Sequence, residues 1–348
     1  MKLFETKISP YYSQNDIAKV IESGDMGFGS NVGVFESMFA EYSGNKYNIA
    51  TNSASAAAFI LFAYYKEKYG KCDVYTPSFG FTSVAWAAKH HGHNLIFVDV
   101  DDNMLFDIDD YRWKRRQRCE RYSDGGIKPI VMPVLYGGVS TIPNLTEALA
   151  KDGYREIVIL DSAHCVTPKM KSDATFFSFH PYKPIASSDG GMISTNDKDI
   201  SEYSQSYRNF GRQNTSKGYE IVGSGFKFYM NNLNATIALT QLEVYNEKLE
   251  IRKEAFNNLK SLNLKGRLIE HDLNSSYYIA TLIVDDEESA LIYHNKYVNS
   301  RLYPPLHKQP YYIDKEVNLL EDIETLPNTE DIYPKLVNLP LYNPKAYE

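Results

Sequence analysis

The 348-residue chain is 43% hydrophobic and 23% charged, which excludes a disordered polymer and leaves room for about two globular domains. A net charge of -7 argues against nucleic-acid binding as a global property, and the lack of any run of about 18 apolar residues argues against membrane insertion. Cys72, Cys119 and Cys165 show neither CxxC nor Cys/His spacing, so no disulfide framework and no metal is expected. Met1 to Lys7 lacks the apolar centre of a signal peptide, and a cytoplasmic protein is expected.

Short apolar runs alternate with helical patterns through the first two-thirds of the chain. The runs are Tyr47 to Ala50, Cys72 to Tyr75, Leu95 to Val98, Pro129 to Val134 and Glu156 to Leu160. Such runs, buried on both faces and separated by helices, predict a parallel α/β sheet whose ligand crevice lies at the C-terminal strand ends. Between the third and fourth runs, the basic cluster Arg112 to Arg118 is read as a solvated helix face. From Asn232 to about Leu262 an apolar-periodic stretch free of Gly and Pro predicts one long helix passing into a second domain. Strands around Tyr277 to Val284, a helix from about Glu287 to Asn299 and the stretch Tyr303 to His307 follow.

Four segments bear on chemistry. Thr51 to Leu61 opens a helix with small residues directly after a strand, and its free N–H groups suit a phosphate, although ordinary capping explains it equally well. After the second strand, Phe79 and Phe81 are positioned either to stack on a flat ring or to fill the core. Asp161 ends an apolar strand, where a carboxylate can hold a protonated ring nitrogen; a helix N-cap by Asp161 or Ser162 is the alternative. Finally, Lys183 lies between the aromatic strand Phe176 to Phe179 and the turn Ser188-Asp189-Gly190-Gly191, which leads into Met192 to Thr195. An amine desolvated there is a nucleophile toward carbonyls, whereas a lone lysine is ordinarily a solvated surface group.

In this order the segments resemble the sugar aminotransferase family often called DegT/DnrJ/EryC1/StrS, of pyridoxal 5'-phosphate (PLP) fold type I. The likeness rests on Ser178-Phe179-His180-Pro181-Tyr182-Lys183 with Ser188-Asp189-Gly190-Gly191, on Asp161-Ser162-Ala163-His164 and on Ser53-Ala54-Ser55-Ala56. It extends through Phe35-Glu36, Pro77-Ser78-Phe79, Phe97 to Val100, Pro133 to Gly137, Arg208 to Gly211, Gly225 to Phe228 and Tyr303 to His307, nearly the whole chain. Ser188 replaces a family glycine, the stretch between Cys165 and Ser178 is short, and the His usual before Leu135-Tyr136-Gly137 is missing.

The resemblance implies a large domain, residues 1–235, with a mainly parallel seven-stranded sheet between helices, and a smaller C-terminal α+β domain, residues 236–348. It implies PLP held covalently by Lys183, with Asp161 on the ring nitrogen and Phe81 and His164 against the ring. Ser55, Ala56 and Ser178 would take the phosphate, completed by Lys227 of a second subunit, so a homodimer with shared sites is implied. The donor would be an amino acid, glutamate in the first instance, and the acceptor a keto-sugar, nucleotide-linked in most relatives, touching Phe28, Tyr229 and His307. Alternatives are a small or phosphorylated ketone acceptor, or a PLP-binding homologue without turnover. Relatives that dehydrate keto-deoxysugars carry His where Lys183 stands, which argues against that chemistry.

Overall fold

A computed structural model of the chain describes residues 2–3, 14–121, 127–142, 145–151, 156–297, 300–313 and 325–343. The N-terminal reading therefore falls almost wholly outside the described residues. Seven strands form the main sheet: β1 (Tyr47–Thr51), β2 (Cys72–Pro77), β3 (Asn94–Val98), β4 (Lys128–Val131), β5 (Ile157–Asp161), β6 (Ala174–Ser178) and β7 (Gly191–Thr195). Their order is β1-β7-β6-β5-β4-β2-β3. The pairs β2–β3, β2–β4, β4–β5 and β5–β6 are parallel, while β7 runs antiparallel to both β1 and β6.

Alternation along these strands feeds two cores, as a pleated strand must. Ile49, Val74, Ile130, Phe176 and Ile193 face one side, beneath helices α3 (Ala54–Tyr69), α4 (Thr82–His90) and α7 (Lys198–Tyr207). Tyr75 and Val131 face the other, under α5 (Ile108–Arg121) and α6 (Leu145–Lys151). Ala50, Phe177 and Met192 share that second side with α2 (Ser30–Ser43) and α8 (Asn232–Glu243). Helix α1 (Gln14–Ser23) lies against α8. Because both faces are covered, the strands are uniformly apolar, which is why their runs stand out in sequence.

Two expectations are corrected. The basic cluster is not simply a solvated face: Lys114 is fully buried against Asp110 (2.8 Å) and the Phe97 carbonyl (2.9 Å), and Arg118 is buried against Asp73 (3.1 Å). The long helix is two helices, α8 and α9 (Tyr245–Ser261), meeting at the non-helical Val244 (φ -99°, ψ 7°).

The hairpin β8 (Arg212–Thr215) and β9 (Gly218–Ile221) projects from the main sheet's connections, its residues largely exposed. Beyond α9, a three-stranded antiparallel sheet of β10 (Arg267–Leu268), β11 (Ala280–Ile283) and β12 (Leu336–Leu339) packs with α10 (Glu287–Lys296) and α12 (Pro327–Lys335); the short α11 (Pro310–Ile313) lies between. The expected end of α10 at Asn299 lies outside the described residues. Hydrogen bonds join this second sheet's approach to the main domain: Ser276 N–H to Gly138 O (2.7 Å), Ile279 N–H to Gly137 O (3.2 Å) and Val166 N–H to Ser276 Oγ (2.7 Å). Ser140 adds its N–H (2.7 Å) and hydroxyl (2.6 Å) to the Asp272 carboxylate. Among the described residues no helix is long and apolar enough to cross a membrane.

Candidate active site

The crevice lies where β1, β2, β5 and β6 end. Between β6 and β7 the chain makes a loop whose neck is closed by Phe179 N–H to Gly190 O (2.9 Å) and Ser187 N–H to Phe179 O (2.7 Å). Gly190 and Gly191 permit this closure, since a Cβ at Gly191 would stand 2.4 Å from the Ser53 carbonyl carbon and one at Gly190 2.8 Å from Met230 Cε. Lys183 sits in the loop, its N–H bonded to His180 O (2.8 Å). Its side chain is half-buried, and its Nζ lies 4.8 Å from the centroid of the Tyr278 ring. Among the described residues no carboxylate lies within ion-pair distance of that amine. Burial pushes its pKa well below the ordinary lysine value, and the more distant Asp161 charge opposes the shift only in part.

Asp161, buried at the end of β5, accepts the Ala163 N–H through Oδ1 (3.0 Å), while Oδ2 bonds no described residue. Its carboxyl is pushed up by burial, against the pull of that N–H and of Lys183. His164 is buried as well, and burial, then Lys183, holds its imidazole well below the usual histidine range. Three aromatic rings that the sequence did not single out surround His164: Tyr278 (4.5 Å between centroids), Tyr136 (5.6 Å) and Tyr303 (5.8 Å, stacked). Tyr303 also meets Phe81 edge-on at 6.0 Å, so one ring spans the two residues expected to flank a flat cofactor. Phe81 is 56% exposed at the start of α4, whereas Phe79 is core.

At the opening of α3, Ser53 caps the helix by accepting the Ala56 N–H (3.1 Å), so this N–H is already engaged. Ser55 Oγ pairs with Ser83 Oγ (2.7 Å), and Ser178 Oγ accepts the His180 N–H at 3.4 Å. Of the acceptor candidates, Phe28 and Tyr229 meet edge-to-face at 5.3 Å, with the Arg208 guanidinium 5.0 Å over Phe28. His307 stands apart from them. Its Nδ1 bonds Ser78 Oγ (2.7 Å) and its Nε2 faces Glu330 (3.3 Å), so both nitrogens are committed within the protein. Lys227 is exposed, its Nζ 5.6 Å over the Tyr229 ring and its carbonyl accepting from Asn52 Nδ2 (3.3 Å).

The residues present fit PLP on three counts. Lys183 offers a desolvated amine without a hydrogen-bond partner among the described residues, and Asp161 offers a free carboxylate oxygen. His164 holds a buried Nδ1 with no hydrogen-bond partner among the described residues. Tyr136 and Tyr303 lie in stretches that carried the resemblance without a site role, and Tyr278 lies just before β11, where the doubled Tyr277-Tyr278 was the available signal.

The model of the DegT/DnrJ/EryC1/StrS aminotransferase family matches residues 11–346. The spore coat polysaccharide biosynthesis protein SpsC of Bacillus subtilis (strain 168) is 28% identical, over 94% of this chain and 88% of its own. GDP-perosamine synthase of Caulobacter vibrioides is 28% identical over 70% of this chain and 66% of its own. In fold, the chain is similar to Helicobacter pylori PseC, an aminotransferase involved in the biosynthesis of pseudoaminic acid, with a TM-score of 0.81 at 20% identity, covering 97% of this chain and 94% of that one.

Proposed function

The chain belongs to the DegT/DnrJ/EryC1/StrS aminotransferase family, a family of PLP-dependent transaminases, and on that premise we propose that it moves an amino group from glutamate to a nucleotide-linked keto-sugar. The observation that carries this reading is the meeting of Lys183, Asp161 and His164 in one buried crevice at the strand ends. Relatives named for polysaccharide biosynthesis and for a GDP-linked sugar support the acceptor class.

When bound, PLP would supply an aldehyde carbon to carry the amino group and an electron-withdrawing ring to stabilise charge at the donor's Cα. Lys183 Nζ would hold the cofactor and would serve as the acid/base that holds and moves the proton at the donor's Cα. Its depressed pKa keeps a larger share of the amine neutral and competent as a base. Asp161 Oδ2 would hold the proton on the ring nitrogen, and Phe81 and His164 would orient the ring and keep water from it. Ser55 and Ser178 would bind the phosphate, joined by Ala56 where its N–H turns from the Ser53 cap to the ligand; Phe28 and Tyr229 would touch the acceptor, and His307, tied to Ser78, would do so from a separate side.

The proposed active unit is a cytoplasmic homodimer, in which residues 1–235 hold the cofactor and residues 236–348 complete α8 on the main sheet and then form the smaller domain. Its support is a band of exposed apolar side chains around the β8–β9 hairpin and α4, including Phe28, Trp86, Phe210, Ile221 and Phe226. A soluble monomer rarely leaves so many large apolar groups open on neighbouring elements, and Lys227, exposed among them, would reach a second copy's phosphate site in such a dimer. To test the acceptor class, PLP-loaded protein is converted with glutamate and offered nucleotide-linked keto-sugars, free keto-sugars and small phosphorylated ketones. Return of the original cofactor spectrum with the nucleotide-linked compounds alone supports the proposal. Return with small ketones alone overturns the acceptor, and a spectrum that no amino donor changes overturns the enzyme.

A further inference from the structure

Lys183 carries the only reactive amine the proposed chemistry uses, yet no acid of the described residues reaches it. What touches its Nζ is the face of Tyr278, 4.8 Å away at the centroid. Tyr278 belongs to the far end of the chain, just before β11, and its position is fixed from several sides. Its N–H donates to Gly137 O (3.0 Å), and its ring packs on His164 at 4.5 Å between centroids. Gly138, at φ +99°, leaves room for it, since a Cβ there would come within 2.9 Å of Tyr278 N and 3.1 Å of its Cβ. The preceding Tyr277 is held in the left-handed region (φ 45°), stacked on His271 at 4.5 Å, a strained backbone that only firm packing maintains. Nearly all of the Tyr278 side chain is buried (5% exposed), so its ring acts on the amine with little screening by water.

We propose that Tyr278 is a positioning residue for Lys183, its ring face holding the amine in the crevice in place of an acid, and the Leu135 to Gly138 turn holding Tyr278. This rests on the reading of Lys183 as the PLP-bearing amine. The π face favours the ammonium form, whereas burial opposes it. The other groups bearing on that amine are Asp161, which favours its charge, and His164 and His180, whose own charging it opposes. Tyr303 faces Asp161 rather than the amine.

The test is the pH dependence of PLP capture by the cofactor-free protein, trapped with borohydride, with the modified lysine located by peptide mass. Tyr278→Leu should lower the midpoint of capture by about 0.5–1 pH unit, from the loss of a cation–π contact, and reduce the high-pH plateau several-fold as the amine loses its hold. Tyr278→Phe, which keeps the ring, should retain the wild-type midpoint. Tyr278→Met replaces the leucine variant if its circular dichroism shows that it has not folded. An unchanged midpoint in the ring-less variant overturns the role of Tyr278. Capture at a lysine other than Lys183 in the wild type overturns the underlying reading instead.

Discussion

Replacing Lys183 with alanine separates the chemistry from the fold, and the structure sets both magnitudes. The Lys183 side chain makes no described hydrogen bond or ion pair, and its one named contact is the Tyr278 ring. Losing that contact costs about 0.5–2 kcal/mol, and removing a desolvated charge returns a similar amount, so stability should change by no more than about 1 kcal/mol. For a chain this size that corresponds to a few degrees or less in melting temperature. The catalytic loss is larger: without its proton carrier, transfer at the donor's Cα should slow by about 10²–10⁴-fold, or roughly 3–5 kcal/mol of barrier. Beyond that, the covalent hold on PLP is gone. The assay is a single-turnover reaction with glutamate, followed by stopped-flow absorbance in excess PLP. Added methylamine should restore part of the rate, increasingly as pH rises and more of it is the free base. A variant within tenfold of wild type, or one that melts far below it, would refute the reasoning.

Asp161→Asn tests the buried carboxyl by linkage. Because the folded-state pKa is raised by burial, its stabilising contribution is present below the ordinary 3.8 and is lost as pH rises through the folded value. The cofactor-free asparagine variant should therefore match wild type near pH 4 and melt higher at neutral pH, while retaining PLP less well; melting curves across that range decide it, and a variant less stable than wild type at neutral pH contradicts the assignment. Lys227→Ala should weaken PLP retention and make the dimer easier to dilute apart only when PLP is present, because a charge-assisted bond across an interface links the two equilibria. Sedimentation velocity with and without cofactor measures this, and a wild type that is monomeric while fully loaded with PLP rules it out.

The mainly parallel sheet was legible because strands covered on both faces are continuously apolar, and Asp161 and Lys183 stood out as candidates because one ends such a strand and the other lies in the loop that follows the next. The direction of β7 was not: five consecutively buried residues carry no record of which way the strand runs. Nor was the break at Val244, where neither Gly nor Pro announces a change. The burial of Lys114 and Arg118 escaped notice because their partners, Asp110 and Asp73, look like any other surface acids in sequence. Tyr278 and Tyr303 were missed for a different reason. Their approach to His164 is made by chain crossing between the two sheets, which neither the doubled Tyr277-Tyr278 nor the stretch from Tyr303 to His307 encodes by itself.

The closed neck of the loop between β6 and β7 separates the backbone that carries Lys183 from the register of the strands beneath it. Phe179, Ser187 and Gly190 tie the loop's two ends together just beyond two antiparallel strands, so residues 180–186 form a closed loop that reaches the core through Ile185 and Tyr278 through Lys183. Exchanging that loop for one of equal length that keeps Lys183 and the buried Ile185 should leave the strand register untouched, because the register is set below the neck. Evolution and the protein engineer thus have the same handle here: the stretch that presents the amine can be swapped as a cassette while the glycines at its base stay fixed.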